Sequence, residues 1–206
     1  MFLTVEGIEG SGKSTLLCGL SDRLRSRGHE VFETREPGGT PVGDAIRALF
    51  LDRSVSIAPL TEALLVNAAR AQHVADRIRP QLEAGRIVLC DRFVDSTLAY
   101  QGYGRGVDLT LLRGICDAAT GGLEPDLTFV LDVSVETSRA RTVSRGRPVD
   151  RLEAEDDGFH ERVRDGFLEL ARGPRHCVLD AALPQEALLE RALREVDARA
   201  SGEVSA

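Results

Sequence analysis

Lysine and asparagine are almost absent from the sequence. Lysine occurs once, at position 13, so 25 of the 26 basic residues are arginine. A single lysine in a chain that otherwise uses arginine is hard to explain as an ordinary surface charge, and it indicates a specific role for Lys13. The one asparagine, Asn67, is followed by Ala68, which rules out the N-K-x-D motif typical of guanine-nucleotide switches.

Long apolar runs are also missing. No stretch approaches the roughly 18 to 20 apolar residues that cross a membrane, and the N-terminus leads into a predicted strand without a basic segment or a cleavage site. We therefore expect no membrane partner and a cytoplasmic location. The formal net charge of −7 argues against a nucleic-acid-binding surface, although it allows a local basic patch for a small phosphorylated ligand.

Cysteine and histidine form no ligand pattern. The four cysteines, Cys18, Cys90, Cys116 and Cys177, are far apart and lack C-x-x-C spacing, and the four histidines are equally scattered. Disulfides and zinc sites are therefore not expected, and we expect the cysteines to be buried free thiols.

The strongest pattern in the sequence lies near the N-terminus. The residues Gly7, Ile8, Glu9, Gly10, Ser11, Gly12, Lys13 and Ser14 match G-x-x-x-x-G-K-[ST] at every fixed position. An apolar run precedes this loop, and a helical pattern continues from Thr15. Glycines allow backbone N–H groups to point at phosphate oxygens, and a helix N-terminus favours negative charge. The pattern predicts a triphosphate site in which Lys13 reaches the β- and γ-phosphates and Ser14 binds Mg²⁺.

Strand-like and helical segments alternate along the chain. We predict strands at 2–6, 30–35, 86–91, 127–132 and 177–180, and helices at 13–27, 41–51, 60–84, 93–100, 108–119, 135–145, 157–171 and 184–198. Pro80 is expected to break or kink the longest helix near Arg79. The alternation predicts an α/β fold whose five-stranded, mainly parallel sheet has helices on both faces. We expect one domain, 1–198, and a disordered tail, 199–206.

The carboxyl ends of the predicted strands carry charged side chains, as expected at the ligand-binding edge of such a sheet. They are Glu6, Arg35, Asp91 followed by Arg92, Asp132 and Asp180. Charged residues also mark places where a strand leaves the core, and this alternative stays open for Asp132 and Asp180. Beside the phosphate loop, Asp91 can orient Mg²⁺ and Arg92 can bind a phosphate.

An arginine-rich segment lies later in the chain. It contains Arg139, Arg141, Arg145, Arg147 and Arg151. A solvated basic helix is one interpretation, but such a segment in an acidic protein also suits a polyphosphate partner. We expect a short lid, about 139–153, that closes over the nucleotide and neutralises its charge.

Together these residues resemble bacterial thymidylate kinases, which are P-loop nucleoside monophosphate kinases. The resemblance covers residues 1–195 and rests on Glu6-Gly7 with the loop, TREPGG at 34–39, AARAQ at 68–72, DRF at 91–93, DSTLAYQG at 95–102, PDLT at 125–128, and Arg145-Gly146 with Asp150-Arg151. Each segment alone is moderately specific, and their combination in this order is very specific.

The resemblance implies transfer of the γ-phosphoryl group of ATP to dTMP with Mg²⁺, a step of dTTP synthesis. It implies that Gly7 to Thr15 bind ATP, that Ser14, Glu9 and Asp91 lie at the metal, and that Arg92 binds the acceptor phosphate. The implied acceptor residues are Glu9, Arg35, Val66, Arg70, Arg92, Thr97, Tyr100 and Gln101. Among them, Arg70 and Thr97 lie at the thymine edge, and Glu9 and Tyr100 lie at the sugar. A homodimer packed through helices is also implied.

Members of this family take their catalytic arginine from the P-loop or from the lid. Ser11 and its neighbours supply no arginine, so the chain resembles the lid-arginine type. The catalytic candidates are Lys13, Arg92, Arg141, Arg145 and Arg151. One departure from the family pattern is Val66, where an aromatic residue that stacks on thymine is usual. Two alternatives therefore stay open: a kinase for another pyrimidine acceptor such as dUMP, and an ATP-dependent switch that binds partners.

Overall fold

A five-stranded parallel sheet forms the centre of the computed structural model, which describes residues 1–144, 146 and 148–202. The strands are β1 (Phe2–Glu6), β2 (Val31–Arg35), β3 (Ile87–Asp91), β4 (Leu127–Asp132) and β5 (His176–Asp180). Their order in the sheet is β2-β3-β1-β4-β5. The predicted fold class is confirmed, and each predicted strand boundary is correct to within one residue.

Helices connect the strands at the predicted places. They are α1 (Lys13–Ser26), α2 (Pro41–Leu51), α3 (Pro59–His73), α4 (Arg79–Glu83), α5 (Val94–Thr97), α6 (Leu109–Thr120), α7 (Val135–Ser144), α8 (Asp157–Leu170) and α9 (Gln185–Ser201). Side-chain caps fix several helix starts. Thr40 accepts a hydrogen bond from the N–H of Gly43 at 2.9 Å, and Asp108 accepts one from Leu111 at 2.8 Å.

Three helical segments differ in detail from the prediction. The long helix continues past Pro80, but its regular α-helical pattern is interrupted just before Arg79, close to the predicted position: the turn Val74–Ile78 is π-helical, and the N–H of Arg79 bonds to the carbonyl of Val74. The wider turn removes the need for the hydrogen bond that proline cannot donate. A second π-helical segment, Leu98–Gly104, continues α5. At the other end of the chain, α9 extends to Ser201, past the predicted end at 198, and residues 203–206 of the predicted tail lie outside the described residues.

The three central strands, β1, β3 and β4, are buried on both faces along nearly their whole length, in keeping with their mainly apolar sequences. All five residues of β1 are buried. Leu3 and Val5 belong to one core cluster with residues of α1, α8 and α9. Phe2 belongs to a second cluster with the π-helical turn 74–78. The alternation of side chains along the strand places these two sets on opposite faces.

The cysteine prediction is correct for three of the four side chains. All four are free thiols, but Cys18 is exposed on α1, whereas Cys90, Cys116 and Cys177 are buried. Within the described ranges, no helix combines the length and the apolar character needed to cross a membrane.

Candidate active site

The loops that follow β1 and β3 emerge side by side at the carboxyl edge of the sheet, because Val5 pairs with Asp91 in parallel register. A cleft of about 210 Å³ lies between these loops and α3. The predicted site residues that line it are Glu9, Gly10, Gly12, Lys13, Ser14, Arg35, Val66, Arg70, Asp91, Arg92, Thr97, Tyr100 and Gln101. The structure therefore brings together the triphosphate loop and all eight residues of the predicted acceptor site.

Four other predicted residues are near the cleft but do not line it. Gly7, Ile8, Ser11 and Thr15 belong to the phosphate loop and the start of α1 without being among the lining residues. The sequence prediction missed further lining residues, among them Glu36, Arg47, Phe50, Ser96 and Glu153. Glu36 and Ser96 lie inside the segments 34–39 and 95–102, which is the signal that could have identified them.

The phosphate loop requires glycine at two positions. Gly7 and Gly10 have φ angles of 134° and 74°, which residues with a side chain rarely adopt. A Cβ atom at Gly7 would lie 2.6 Å from the carbonyl oxygen of Leu131, and one at Gly10 would lie 2.5 Å from that of Ser138. Backbone angle and close approach therefore both exclude larger residues.

Lys13 is held against this loop. Its Nζ donates to the carbonyl oxygens of Gly7 and Ile8 at 2.9 and 2.8 Å. Burial, together with the positive charge of Arg92, lowers the pKa of Lys13 to about 8. A bound phosphate would favour the charged form again. The chain thus places its one lysine at the point where a triphosphate would bind.

Arg92 faces the loop from the turn after β3. Its Nη2 lies 2.8 Å from Oε1 of Glu9, and its Nη1 donates to Oγ of Ser96 at 3.0 Å. The guanidinium carbon lies 5.0 Å from the ring centroid of Tyr100. Burial opposes the charge, but attraction by Tyr100 and Glu9 raises the pKa of Arg92 above its ordinary value. Arg92 is therefore a permanent, oriented cation in the cleft.

Glu9 is ionised in this environment. Burial disfavours its charge, yet the attraction of Arg92 and Lys13 holds the pKa of Glu9 below its ordinary value. Oε1 also accepts the hydroxyl of Tyr100 at 2.6 Å. Within the described part of the chain, the buried Oε2 has no hydrogen-bond partner, and Nδ1 of His160 lies 3.8 Å from it. Since Glu9 lines the cleft, this oxygen is available to a ligand.

Arginines from four segments of the chain line the cleft. Arg35, Arg47, Arg70 and Arg92 all line it. Burial and repulsion by Arg35 and Arg92 lower the pKa of Arg47. Lys13 is a fifth basic lining residue, and five acidic side chains line the same cleft: Glu9, Glu36, Asp91, Asp150 and Glu153. The formal charges of the lining therefore balance, and the arginines are the groups that can bind an anionic ligand.

Arg70 is fixed by a buried network. Its Nε donates to Oε2 of Glu36 at 2.7 Å, its Nη1 to Oδ1 of Asn67 at 2.8 Å, and its Nη2 to the carbonyl of Phe93 at 2.9 Å. Glu36 also contacts Nδ1 of His73 at 3.1 Å. The contacts hold the guanidinium in one orientation at the cleft wall.

An apolar wall completes the cleft beside Arg70. It is formed by Val66, Phe50, Leu51 and Leu152. Val66 and Phe50 belong to the same core cluster. The structure therefore places an aromatic ring, Phe50, in the same wall as the valine that departs from the family pattern.

Glu6 lies behind the cleft and is fully buried. Its Oε1 accepts the N–H of Phe93 at 2.7 Å, and its Oε2 accepts the hydroxyl of Ser96 at 2.6 Å. Burial and the negative charge of Asp95 raise the pKa of Glu6 to about 7. The donors of both hydrogen bonds, Phe93 and Ser96, lie just after Arg92 in the chain.

Arg141 lies beside the phosphate loop. From α7, its Nη1 donates to the carbonyl of Gly10 at 3.4 Å and its Nη2 to that of Ala181 at 3.0 Å. It touches the loop backbone without being one of the residues that line the cleft. Arg145, the other arginine predicted on this part of the lid, lies outside the described residues.

Arg151 is not brought to the cleft, which differs from the catalytic position predicted for it. Its guanidinium forms an ion pair with Glu62 of α3, and its Nε donates to the carbonyl of Phe50 at 2.9 Å. Glu62 is fully buried, so it attracts cationic partners strongly. The same carboxylate accepts Nε2 of Gln101 at 3.0 Å.

Oxygen ligands suitable for Mg²⁺ are present in the cleft. Oδ1 of Asp91 and Oε2 of Glu9 are buried and have no hydrogen-bond partner in the ranges that the structure covers. Ser14 lines the same cleft. Among the described residues, no group of three or more His, Cys, Asp or Glu side chains could hold a metal alone. This donor set fits Mg²⁺, which commonly uses one or two carboxylates together with waters and substrate phosphates.

Comparison with known proteins identifies relatives of the chain. The sequence model of a family described as Thymidylate kinase matches residues 5–192. A protein named Thymidylate kinase from Deinococcus radiodurans is 53% identical over 190 residues, 91% of this chain and 92% of that protein. One of the same name from Desulfovibrio desulfuricans is 52% identical over 195 residues, covering 90% of each chain.

A solved structure shows the same fold. The crystal structure of a thymidylate kinase from Ehrlichia chaffeensis superposes with a TM-score of 0.78 at 34% sequence identity, over 96% of this chain and 98% of that chain. The matched family and the relatives cover the phosphate loop, the turn after β3 and α3, which supply most of the cleft. The chain therefore belongs to the thymidylate kinase family.

Proposed function

We propose that the protein transfers the γ-phosphoryl group of ATP to dTMP, giving dTDP and ADP. The observation that carries the proposal is the arrangement of Lys13 and Arg92 in one cleft, each close to Glu9. Lys13 belongs to a triphosphate loop, whereas Arg92 lies on the opposite loop with Arg35 and Arg47 nearby. Two separate cationic positions suit a donor and an acceptor phosphate that must react in line.

Each role follows from the local chemistry. Lys13 and the loop from Gly7 to Thr15 bind the ATP phosphates, and Arg92 binds the acceptor phosphate. Oε2 of Glu9, which has no hydrogen-bond partner among the described residues, accepts a hydrogen bond from a sugar hydroxyl or lies at the metal. Arg70, Thr97, Tyr100 and Gln101 line the cleft as well. From the family resemblance, we assign Arg70 and Thr97 to the thymine edge and Tyr100 to the sugar.

Magnesium is the metal that this donor set favours. Ser14, Glu9 and Asp91 would hold Mg²⁺ together with the nucleotide phosphates. When bound, Mg²⁺ neutralises charge on the transferred phosphoryl group. The protein residues supply the rest of the electrostatic stabilisation, because phosphoryl transfer needs positioning and charge neutralisation without a covalent intermediate.

A homodimer is proposed from the family resemblance, and a cytoplasmic location stays a prediction of the sequence. Exposed leucines on neighbouring helices support the dimer. Leu60 and Leu64 lie one turn apart on α3, and Leu111 lies on α6, which packs against α3. A second copy would bury this apolar face.

A coupled ADP-release assay across dTMP, dUMP, dGMP and dCMP tests the proposed reaction. We expect the highest kcat/KM with dTMP. Preference for dUMP would favour the second candidate, a kinase for another pyrimidine nucleotide. Val66 is the reason to test this candidate, because it replaces the aromatic residue that usually stacks on thymine. ATP hydrolysis that is indifferent to every monophosphate would support a switch and contradict the proposal.

A further inference from the structure

The turn that carries Arg92 has an unfavourable backbone conformation. Arg92 has a φ of 74° and is the one non-glycine residue with a positive φ within the described ranges. Such angles are disfavoured for residues with a side chain, and they persist where surrounding contacts impose them. The contacts that hold this turn therefore also decide where the guanidinium points.

Glu6 supplies two of these contacts from behind. Its Oε1 accepts the N–H of Phe93 at 2.7 Å, directly after Arg92. Its Oε2 accepts the hydroxyl of Ser96 at 2.6 Å. The oxygen of Ser96 in turn accepts Nη1 of Arg92 at 3.0 Å. Glu6 thus fixes the backbone beside Arg92 and, through Ser96, the guanidinium itself.

We propose that Glu6 is a positioning residue for the acceptor phosphate, acting through Ser96 on Arg92. This inference rests on the proposed function, because it takes Arg92 as the residue that binds that phosphate. Glu6 is fully buried and is not among the residues that line the cleft. A change at Glu6 that alters acceptor binding must therefore act through the turn.

The arrangement requires a carboxylate. An ionised carboxylate accepts hydrogen bonds on both oxygens, whereas an amide accepts on one atom and donates from the other. In Glu6→Gln, the carbonyl oxygen can still accept the N–H of Phe93. The amide nitrogen would then donate a hydrogen bond to the hydroxyl oxygen of Ser96, where it competes with Arg92. The hydroxyl hydrogen of Ser96 would lose its acceptor and turn away. The side chain at position 6 keeps its size, but the direction of its hydrogen bond with Ser96 is reversed.

The test is a double-mutant cycle of Glu6→Gln and Ser96→Ala at pH 8. We expect Glu6→Gln to raise the KM for dTMP roughly threefold to tenfold, the effect of losing one hydrogen bond. The KM for ATP should change less than twofold, and the Tm should not fall. In a Ser96→Ala background, Glu6→Gln should change the KM for dTMP less than twofold, because the link is already absent.

Asp132→Asn is the matched control. Asp132 ends the neighbouring strand β4, and both of its oxygens bind Arg164, at 2.6 and 2.9 Å, without contact to the Arg92 turn. Its substitution should leave both KM values within twofold of wild type.

Three results would overturn the positioning role: an unchanged KM for dTMP in Glu6→Gln, additive effects of the two substitutions, or an equal rise in both KM values with a lower Tm. These outcomes are distinct from failure of the proposed function. A wild-type protein that does not phosphorylate dTMP would refute both, whereas an active wild type with an unaffected Glu6→Gln variant would refute the positioning role alone.

Discussion

Arg151 and Glu62 form a buried ion pair that joins the arginine-rich segment to α3. The guanidinium carbon of Arg151 also lies 5.0 Å from the ring centroid of Phe50, in the apolar wall of the cleft. Arg105 shares the same carboxylate, with Nη2 3.1 Å from Oε1 of Glu62. The end of the predicted lid is therefore anchored to the cleft wall, which favours a structural role for Arg151.

The first prediction concerns this anchor. Arg151→Ala should lower the free energy of unfolding by about 1 to 3 kcal/mol, because the buried Glu62 loses one of its charged partners. The remaining bonds from Arg105 and Gln101 limit the loss. Urea denaturation measures it. A variant with wild-type stability but a kcat reduced a hundredfold or more would instead support the catalytic role predicted from the sequence.

The second prediction concerns Arg145, the catalytic candidate in the predicted lid. Arg145→Ala should lower kcat by roughly 10² to 10⁵, the range for arginines that stabilise transition-state charge in phosphoryl transfer. Arg139→Ala is the control, since Arg139 is exposed and paired with Asp157 and should change kcat less than twofold. Steady-state kinetics at saturating ATP and dTMP measure kcat for both variants. An unchanged kcat for Arg145→Ala would remove this arginine from the mechanism.

The third prediction concerns the apolar wall of the cleft. Val66→Phe should lower the KM for dTMP by roughly twofold to tenfold, because a stacked aromatic pair contributes about 0.5 to 1.5 kcal/mol beyond area burial. Phe50→Leu should raise the KM, because it removes the ring present in the same wall.

The double variant Val66→Phe with Phe50→Leu separates stacking from overpacking. Both positions are buried in one cluster, so an added ring at 66 competes with Phe50 for space. If Val66→Phe alone raises the KM and the double variant lowers it, the cleft has repacked around valine. If both raise it, Val66 does not contact the base.

The fourth prediction uses the titration of Glu6. Its pKa rises from 4.5 to about 7 through burial and the charge of Asp95, partly offset by Arg92. When a carboxyl group has a higher pKa in the folded state than in the unfolded state, the free energy of unfolding of the protein falls as the pH rises through the folded-state pKa. Glu6→Gln stays neutral, so its stability relative to wild type should increase with pH.

The size of this change follows from the pKa values. Between pH 5 and pH 8 the difference in unfolding free energy, variant minus wild type, should rise by roughly 2 to 3 kcal/mol. Denaturation of both proteins at several pH values measures it, and Asp132→Asn serves as the control. A difference that is constant with pH would show that Glu6 ionises normally.

The fifth prediction concerns assembly. Leu64→Glu should convert a dimer into monomers, because it places a charge in the apolar face of α3. Leu183→Glu is the control, since Leu183 is equally exposed but lies before α9. Sedimentation velocity at several concentrations measures the mass. A wild type that remains monomeric would contradict the dimer, and an unaffected Leu64→Glu dimer would place the interface elsewhere.

Much of the site could be predicted because its signals are local. The phosphate loop and the turn after β3 are short segments whose residues act together within a few positions of the chain. The partners of Arg70 show the limit of this approach. Asn67 lies one helical turn away and is predictable from spacing, whereas Glu36 and Phe93 reach Arg70 only because separate strands end at the same edge of the sheet.

The sequence by itself determined the α/β alternation, the glycine loop that holds Lys13, and the charged residues at the strand ends, because periodicity and backbone requirements are properties of neighbouring residues. Tertiary structure alone decided that Glu6 supports Arg92 through Ser96, that Arg151 pairs with Glu62, and that Phe50 shares a wall with Val66. These contacts join distant parts of the chain. They depend on burial, which makes an unpaired charge or hydrogen-bonding group costly and so selects its partner.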